Sequence, residues 1–402
     1  MKQETRTKQV AGMIQASLTS LFKSQNSLSL DQFAITTLEA LMLLEREEYL
    51  KQHQPGVKDY ANGAYTRSFN ALRNNSLQIS IPRSRNGHFK PITLELIKEQ
   101  KERINDLCLL LYRKGLSTRD VSNIMSEYFG NSISRDTVNN LASSFHDLRI
   151  AWENRPLDAY YKAIYCDALF TTLKRGNSYS KEALYLIYGV KDDNTRELLL
   201  LEVNPTESGY VWGEYLSKLR KRGVEQIDLI VADGIPFFAD QAKIHYPEAD
   251  VQRCVVHLQR NLLNKVRPKD KEAFALGLKE VFNNFESTST REQAMEKLQK
   301  FVGYWESSYK NLVTKLLEND YIVDYLTYIA YPVEVRRMIY TTNSIENLNR
   351  QIRKVTKTKV SFDLKENLLD LTFMIIKDFE VQNWQQYPVS NFKYWPRFTH
   401  LK

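Results

Sequence analysis

At 402 residues the chain is long for one hydrophobic core, and its 43% apolar composition is enough for two or three domains. No leading apolar run resembles a signal peptide or a membrane span, and Cys108, Cys166 and Cys254 are too few for a disulfide framework. Neither a secreted disulfide scaffold nor a membrane protein is expected, and a reducing, cytosolic setting is. The net charge of +8 argues for a polyanionic partner, and it is gathered in zones: nine Lys/Arg against four Asp/Glu from Arg83 to Arg119, and eight against three from Tyr331 to Lys365.

Residues 1–76 read as an N-terminal helical region, with apolar residues at helical spacing in "LDQFAITTLEALMLLEREEYL" and no cofactor motif. At Leu77 the alternation of Leu77, Ile79 and Ile81 predicts a short strand running into a basic turn that carries Arg83, Arg85 and His88. That turn reads equally well as a phosphate-contacting loop or as a solvated hairpin tip. Three helical periods follow, separated by Gly115 and by Gly130 with Asn131. Ser117 with Asp120 is placed to start the second, and Ser134 with Thr137 the third. Residues 77–155 are thus expected to form a basic helix-turn-helix-type DNA-binding domain, its third helix from Arg135 to Phe145 presenting Asn139, Asn140 and Ser143, although a plain three-helix bundle satisfies the same pattern. "RIAWENRPLD" reads as a linker.

Beyond Tyr160 the grammar changes. "AIYCDALFTTL", "EALYLIYGVK" and "RELLLLEVN" form an antiparallel meander, followed by a helix, the strand "IDLIVADG", a second helix and a fifth strand "DVQRCVVH". That order predicts an α/β, ribonuclease-H-like core with a mixed five-stranded sheet. Its first part is expected over 156–258, an all-helical insertion over 259–339, its last part with a catalytic helix over 340–385, and a C-terminal tail over 386–402.

Such a core places metal-binding carboxylates on the first strand, just past the fourth, and on a late helix. Asp167 lies inside an apolar strand, where an uncompensated charge is costly. Asp233 ends "LIVAD" with Gly234 beside it, at a strand end where ligands approach, although Asp-Gly is also an ordinary turn. Glu346 follows 113 residues later and opens a helix; with Asn343 it also fits a capping box. Arg350, Arg353 and Lys357 share its helical face, and Lys354 adds to the basic stripe. Three oxygen donors suit Mg²⁺, with Mn²⁺ as a substitute, and two such ions about 4 Å apart can drive an in-line phosphoryl transfer without a protein nucleophile. Cys254 with His257 lacks a second pair for a closed zinc site and reads as strand-end packing or hydrogen bonding near the acids. Trp305 is a candidate base-stacking surface or a core aromatic.

"YCDALF", "VADG", "QRCVVHLQRN" and "TTNSIENLNRQIR", in this order and spacing, resemble the Mutator-type transposases of bacterial insertion sequences, from about "IPRSRNGHF" to "FEVQNW" and without the extreme N-terminus. The resemblance implies a catalytic triad of Asp167, Asp233 and Glu346, with the family's Cys-x-x-His signature on Cys254 and His257. It further implies binding to double-stranded DNA as terminal inverted repeats and target, nicking and strand joining, a homodimer or larger synaptic complex, and a place in the bacterial cytoplasm with the nucleoid. Three rivals stand beside it. "HLQR" at His257 to Arg260 spells a tyrosine-recombinase element, though in a strand-rich core; a catalytically inactive DNA-binding regulator and a structure-selective nuclease are the others.

Overall fold

The structure, a computed structural model, describes residues 30–52, 59–70, 76–129, 133–318, 320–341, 343–356 and 362–396, with Gly12 and Thr19. The chain divides into two units, Met1–Ser143 and Ser144–Lys402.

In the first unit, helix α1 (Leu30–Gln52) contributes Met42 to a small core with Ile79, Ile81 and Leu94. Strands β1 (Ala61–Asn70) and β2 (Ser76–Ser84) pair antiparallel, so the region before residue 77, expected to be helical, supplies half of a hairpin. "ANGAYTRSFN" has too few large apolar residues to announce a strand; what fixes it is the partner β2, whose Ile79 and Ile81 face the core. Helices α2 (Ile92–Arg113), α3 (Thr118–Phe129) and α4 (Arg135–Asn154) follow. Ser117 and Asp120 cap α3 reciprocally, and the Ser134 hydroxyl accepts from the Thr137 amide at 3.1 Å. Gly115, at φ +98°, makes the turn between α2 and α3 in a conformation that a side chain disfavours.

Helix α4 does not stop at Phe145. It runs through the expected linker to Asn154, because Arg149 and Trp152, one turn apart, are buried within the second unit. Arg149 is held by Asp370, Glu153 and Glu366, and the Trp152 ring packs 5.2 Å from Phe373.

The second unit is organised by a five-stranded sheet: β3 (Tyr160–Arg175), β4 (Ser178–Val190), β5 (Arg196–Asn204), β6 (Gln226–Ala232) and β7 (Asp250–Arg253), in the order β5-β4-β3-β6-β7. The meander β3-β4-β5 is antiparallel, and β6 and β7 run parallel to β3, as the sequence predicts. Strand β4 is buried without a break from Ala183 to Val190, the pattern of a strand covered on both faces. One face receives helices α5 (Gly209–Lys221) and α6 (Phe238–His245), which bring Trp212, Leu216, Leu219 and Phe238 onto Ile164, Cys166 and Tyr185. On the other, Tyr165 stacks on Tyr188, which meets Trp384.

The fifth strand ends earlier than "DVQRCVVH" predicts. β7 stops at Arg253, and Val255–Leu263 form helix α7 with Cys254 at its cap, so the Cys-x-x-His pair and "HLQR" lie on a helix start, not a strand end. The Cys254 amide donates to Ala232 O at 2.8 Å, tying that start to the end of β6.

The helical insertion holds α8 (Lys271–Phe282), α9 (Arg291–Leu317) and α10 (Val333–Ile339). Helix α9 is broken at Tyr309, where φ −141° and ψ 38° are not helical, so two helical stretches meet there across a kink. The segment "DYIVDYLTYIA", expected as helix, forms two short 3₁₀ turns. Helices α11 (Asn343–Thr356) and α12 (Lys365–Phe379) follow, α12 buried from Leu368 to Ile376. Residues expected as a tail pack in place: the Trp395 indole donates to Asp228 at 2.9 Å and its ring lies 5.1 Å from Tyr331. No helix among the described residues is long and apolar enough to cross a membrane.

Candidate active site

Pairing within the sheet brings the two aspartates together. Cys166 on β3 sits opposite Ala232 on parallel β6, so Asp167 and Asp233, each one residue further, leave neighbouring strands in step. Parallel strands lie about 4.8 Å apart. Alternation puts Asp167 on the face of Tyr165, opposite the α5–α6 layer, and there α11 crosses: Asn349 Nδ2 donates to Asp167 Oδ2, while the Ala168 amide donates to Oδ1 at 2.8 Å. Glu346, in the first turn of α11, faces the same cavity of about 740 Å³.

Basic side chains hold the acids. His257 Nδ1 lies 2.5 Å from Asp233 Oδ1, and its Nε2 lies 3.8 Å from Glu346 Oε1. Arg260, one turn along α7, donates to Glu346 at 3.0 Å. The hydrogen bonds to Asp233 and Cys254 push the His257 pKa up to about 10, so the ring is an imidazolium bridging two carboxylates. Asp167 goes the other way for an acid: burial first, then the nearby Asp233 charge, pushes it up to about 8. At 8% exposure it is a carboxylate short of compensating positive charge.

Cys254 Sγ, a carboxylate oxygen of Asp233 and a ring nitrogen of His257 lie within 4.8 Å of one another, and the thiol also meets Thr341 Oγ1 at 3.8 Å. At Gly234 a Cβ would stand 2.2 Å from the Tyr325 hydroxyl, so a side chain there displaces that ring.

Arg350, Arg353 and Lys354 are exposed and line the same cavity. Lys357 and the Asn343 side chain lie outside the described residues, so the stripe is described as far as Lys354 and the expected capping box of Asn343 with Glu346 lies outside them. Arg83, Arg85 and His88, on and after β2, and Arg135, Asn139 and Asn140 on α4 are exposed in the first unit. Trp305 is only 8% exposed and packs on Phe274 and Tyr309, which supports the core-aromatic reading. Arg260 and Asn349 were not among the expected site residues. Each stands three residues beyond one that was, His257 and Glu346, and helical spacing puts it on the same face. His257 and Arg260 spend the "HLQR" element on carboxylates.

The chain belongs to the Mutator family of transposases, whose model matches residues 4–387 and so takes in the N-terminal segment that the motifs left out. Membership makes it a transposase, an enzyme of DNA transposition. It is 30% identical over 366 residues to the transposase for insertion sequence element IS905 of Lactococcus lactis subsp. lactis (strain IL1403), covering 89% of this chain and 91% of that one. It is 31% identical over 307 residues to the transposase for insertion sequence element IS1201 of Lactobacillus helveticus, covering 76% and 81%. A solved structure, the Drosophila P element transposase strand transfer complex, aligns with a TM-score of 0.38 and 11% identity over 69% of this chain and 92% of that one, too slight a likeness to inform the fold.

Proposed function

We propose that this cavity cuts and rejoins DNA: the chain binds the terminal inverted repeats of an insertion sequence, frees a 3′-hydroxyl and joins it to target DNA by in-line phosphoryl transfer, with no covalent protein intermediate. One observation carries the reading. Three carboxylates from three distant elements, Asp167, Asp233 and Glu346, meet in one cavity whose rim is Arg350, Arg353 and Lys354. Acids alone repel a phosphodiester; acids with exposed cations around them suit a backbone gripped at the rim and handled at the centre.

The residues fit Mg²⁺. The three acids supply oxygen donors, the Asn349 Oδ1 is a buried acceptor without a partner among the described residues, and burial, then the Asp233 charge, raises the Asp167 pKa in a way that a bound cation would relieve. Bound there, the ion supplies activation of the attacking hydroxyl and stabilisation of the leaving oxygen. The protein's own part is orientation. Asn349 fixes the Asp167 carboxylate, His257 fixes Asp233 and shares its positive charge with Glu346, Arg260 holds Glu346, and the rim cations seat the strand. The strand order supports a ribonuclease-H-like core, and the exposed Arg135, Asn139 and Asn140 of α4, with the basic segment from Arg83 to Arg119 before them, support a helix-turn-helix role in binding DNA ends. Work in a dimer or larger complex accords with the need to hold two ends at once.

The test is strand cleavage and joining on end-labelled DNA from the element's termini, in Mg²⁺ and in EDTA, with wild type and Asp167→Asn. Cleavage by wild type in Mg²⁺ alone, absent from a folded Asp167→Asn, is the expected result. A covalent protein–DNA adduct, or cleavage in EDTA, overturns it.

A further inference from the structure

Beside the acids lies an aromatic surface that neither the core nor the chemistry uses. Asp233 is followed by a tight turn in which the Ile235 amide donates back to Asp233 O at 2.8 Å, and the chain then reaches Phe237 at the start of α6. Phe237 has φ +62°, and among the described residues only it and Asn194 combine a side chain with positive φ. Asparagine adopts that conformation readily; a bulky aromatic residue rarely does. The strained ring is not repaid by burial, being 53% exposed, and it stacks at 5.8 Å on Tyr210, itself 64% exposed, on α5.

The two rings are held together by design of the backbone. A Cβ at Gly209 would meet Pro236 O at 2.4 Å and Phe237 Cβ at 3.0 Å, so only glycine lets α5 come this close to the turn. The segment before it is pinned as well: the Tyr185 hydroxyl donates to Thr206 O and accepts from the Ser208 amide, while Ser208 caps α5. A strained backbone, a glycine contact and two solvated rings are thus arranged for a partner outside the fold.

We propose that Tyr210 and Phe237 form a stacking platform for an unpaired base of the DNA strand being cut, close to the scissile phosphate. The inference rests on the DNA-cleaving reading above. Phe237 lies four residues from Asp233, within about 15 Å even for extended chain, so a base one or two nucleotides from a phosphate at the acids can reach it. Aromatic faces accept any base, and an unpaired flank frees one to stack. The platform takes the role for which Trp305 is too buried.

The test compares binding of the full chain, carrying Glu346→Gln to prevent turnover, to two duplexes that span an element end and its flank. One is fully paired and the other mismatched at the first flanking pairs. The platform predicts that the mismatched duplex binds about ten-fold tighter, and that Phe237→Gly, Phe237→Asn and Tyr210→Ala bind both alike. Glycine and asparagine tolerate the backbone, so those two variants should melt no lower than the parent. Preference that persists in all three variants, or lower melting with unchanged preference, overturns the platform. If wild type cuts a DNA end in Mg²⁺ yet the parent shows no preference, the platform alone falls; if wild type neither binds nor cuts, the cleavage reading falls first.

Discussion

At the scale of single residues, the site is a balance of charge. An imidazolium at His257 and a guanidinium at Arg260 stand against Asp233 and Glu346, and of the three acids only Asp167 has no ion pair among the described residues. Its orienting partner is Asn349, so Asn349→Ala should leave the fold intact and raise the Mg²⁺ needed for half-maximal cleavage by about 10- to 100-fold, read by titrating the metal in a cleavage assay. An unchanged requirement contradicts that role. Glu207, just before α5, belongs to the same field. Burial, then the charge of Asp233, pushes its pKa up from 4.5 to about 7. The folded chain therefore keeps a proton that the unfolded chain releases, and Glu207 erodes stability as pH rises from about 4.5 towards 7. Glu207→Gln, melted in EDTA, should gain on wild type across that window and hold its gain above it; a difference independent of pH rules the effect out. The three acids were legible in the sequence because each had a place in an expected strand order. Arg260 was not, because "CVVH" has the β-branched pair of a strand, whereas β7 ends at Arg253 and a helix starts at Val255.

At the scale of elements, α4 and α12 show how a buried ion cluster sets a boundary. Arg149, 2% exposed, binds Asp370 on α12 and Glu153 on its own helix, while Glu366 completes the ring. Arg149→Ala should cost about 3–5 kcal/mol, since it strands the Asp370 and Glu153 carboxylates in a site built for a guanidinium. A urea unfolding midpoint measures this, and a loss below about 1 kcal/mol contradicts it. The segment looked like a linker for a local reason: "RIAWENRPLD" is polar and ends before a proline, and no local pattern reveals that its arginine has partners more than two hundred residues away. The insertion was legible as helical over α8 and α9. Its 3₁₀ turns were not, since Tyr325 and Tyr328 are fixed by contacts to the sheet, such as the Tyr328 amide donating to Gln252, and not by local propensity.

At the scale of the whole molecule, the sheet order was legible because apolar runs joined by polar turns prescribe a meander, and helices between later runs prescribe parallel strands. The hairpin of β1 was missed because its residues are mostly exposed and owe their pairing to β2. Clustered charge was also legible, and its cavity portion makes a quantitative prediction. If Arg350, Arg353 and Lys354 each contact a phosphate, replacing all three with Gln should flatten the slope of log affinity against log salt by about 2.7, or about 0.9 per contact. An unchanged slope means the rim does not hold the backbone.

A catalytic Glu346 and a Glu346 that merely starts a helix respond differently to loss of the charge. Gln at this position keeps the size and some capping ability while removing the charge, so the decisive measurement is cleavage and joining of element-end DNA in Mg²⁺ by Glu346→Gln, beside its DNA affinity and melting temperature. A catalytic role predicts cleavage reduced by at least about a thousand-fold with affinity and melting close to wild type. Cleavage at the wild-type rate by a folded, DNA-bound Glu346→Gln would contradict it.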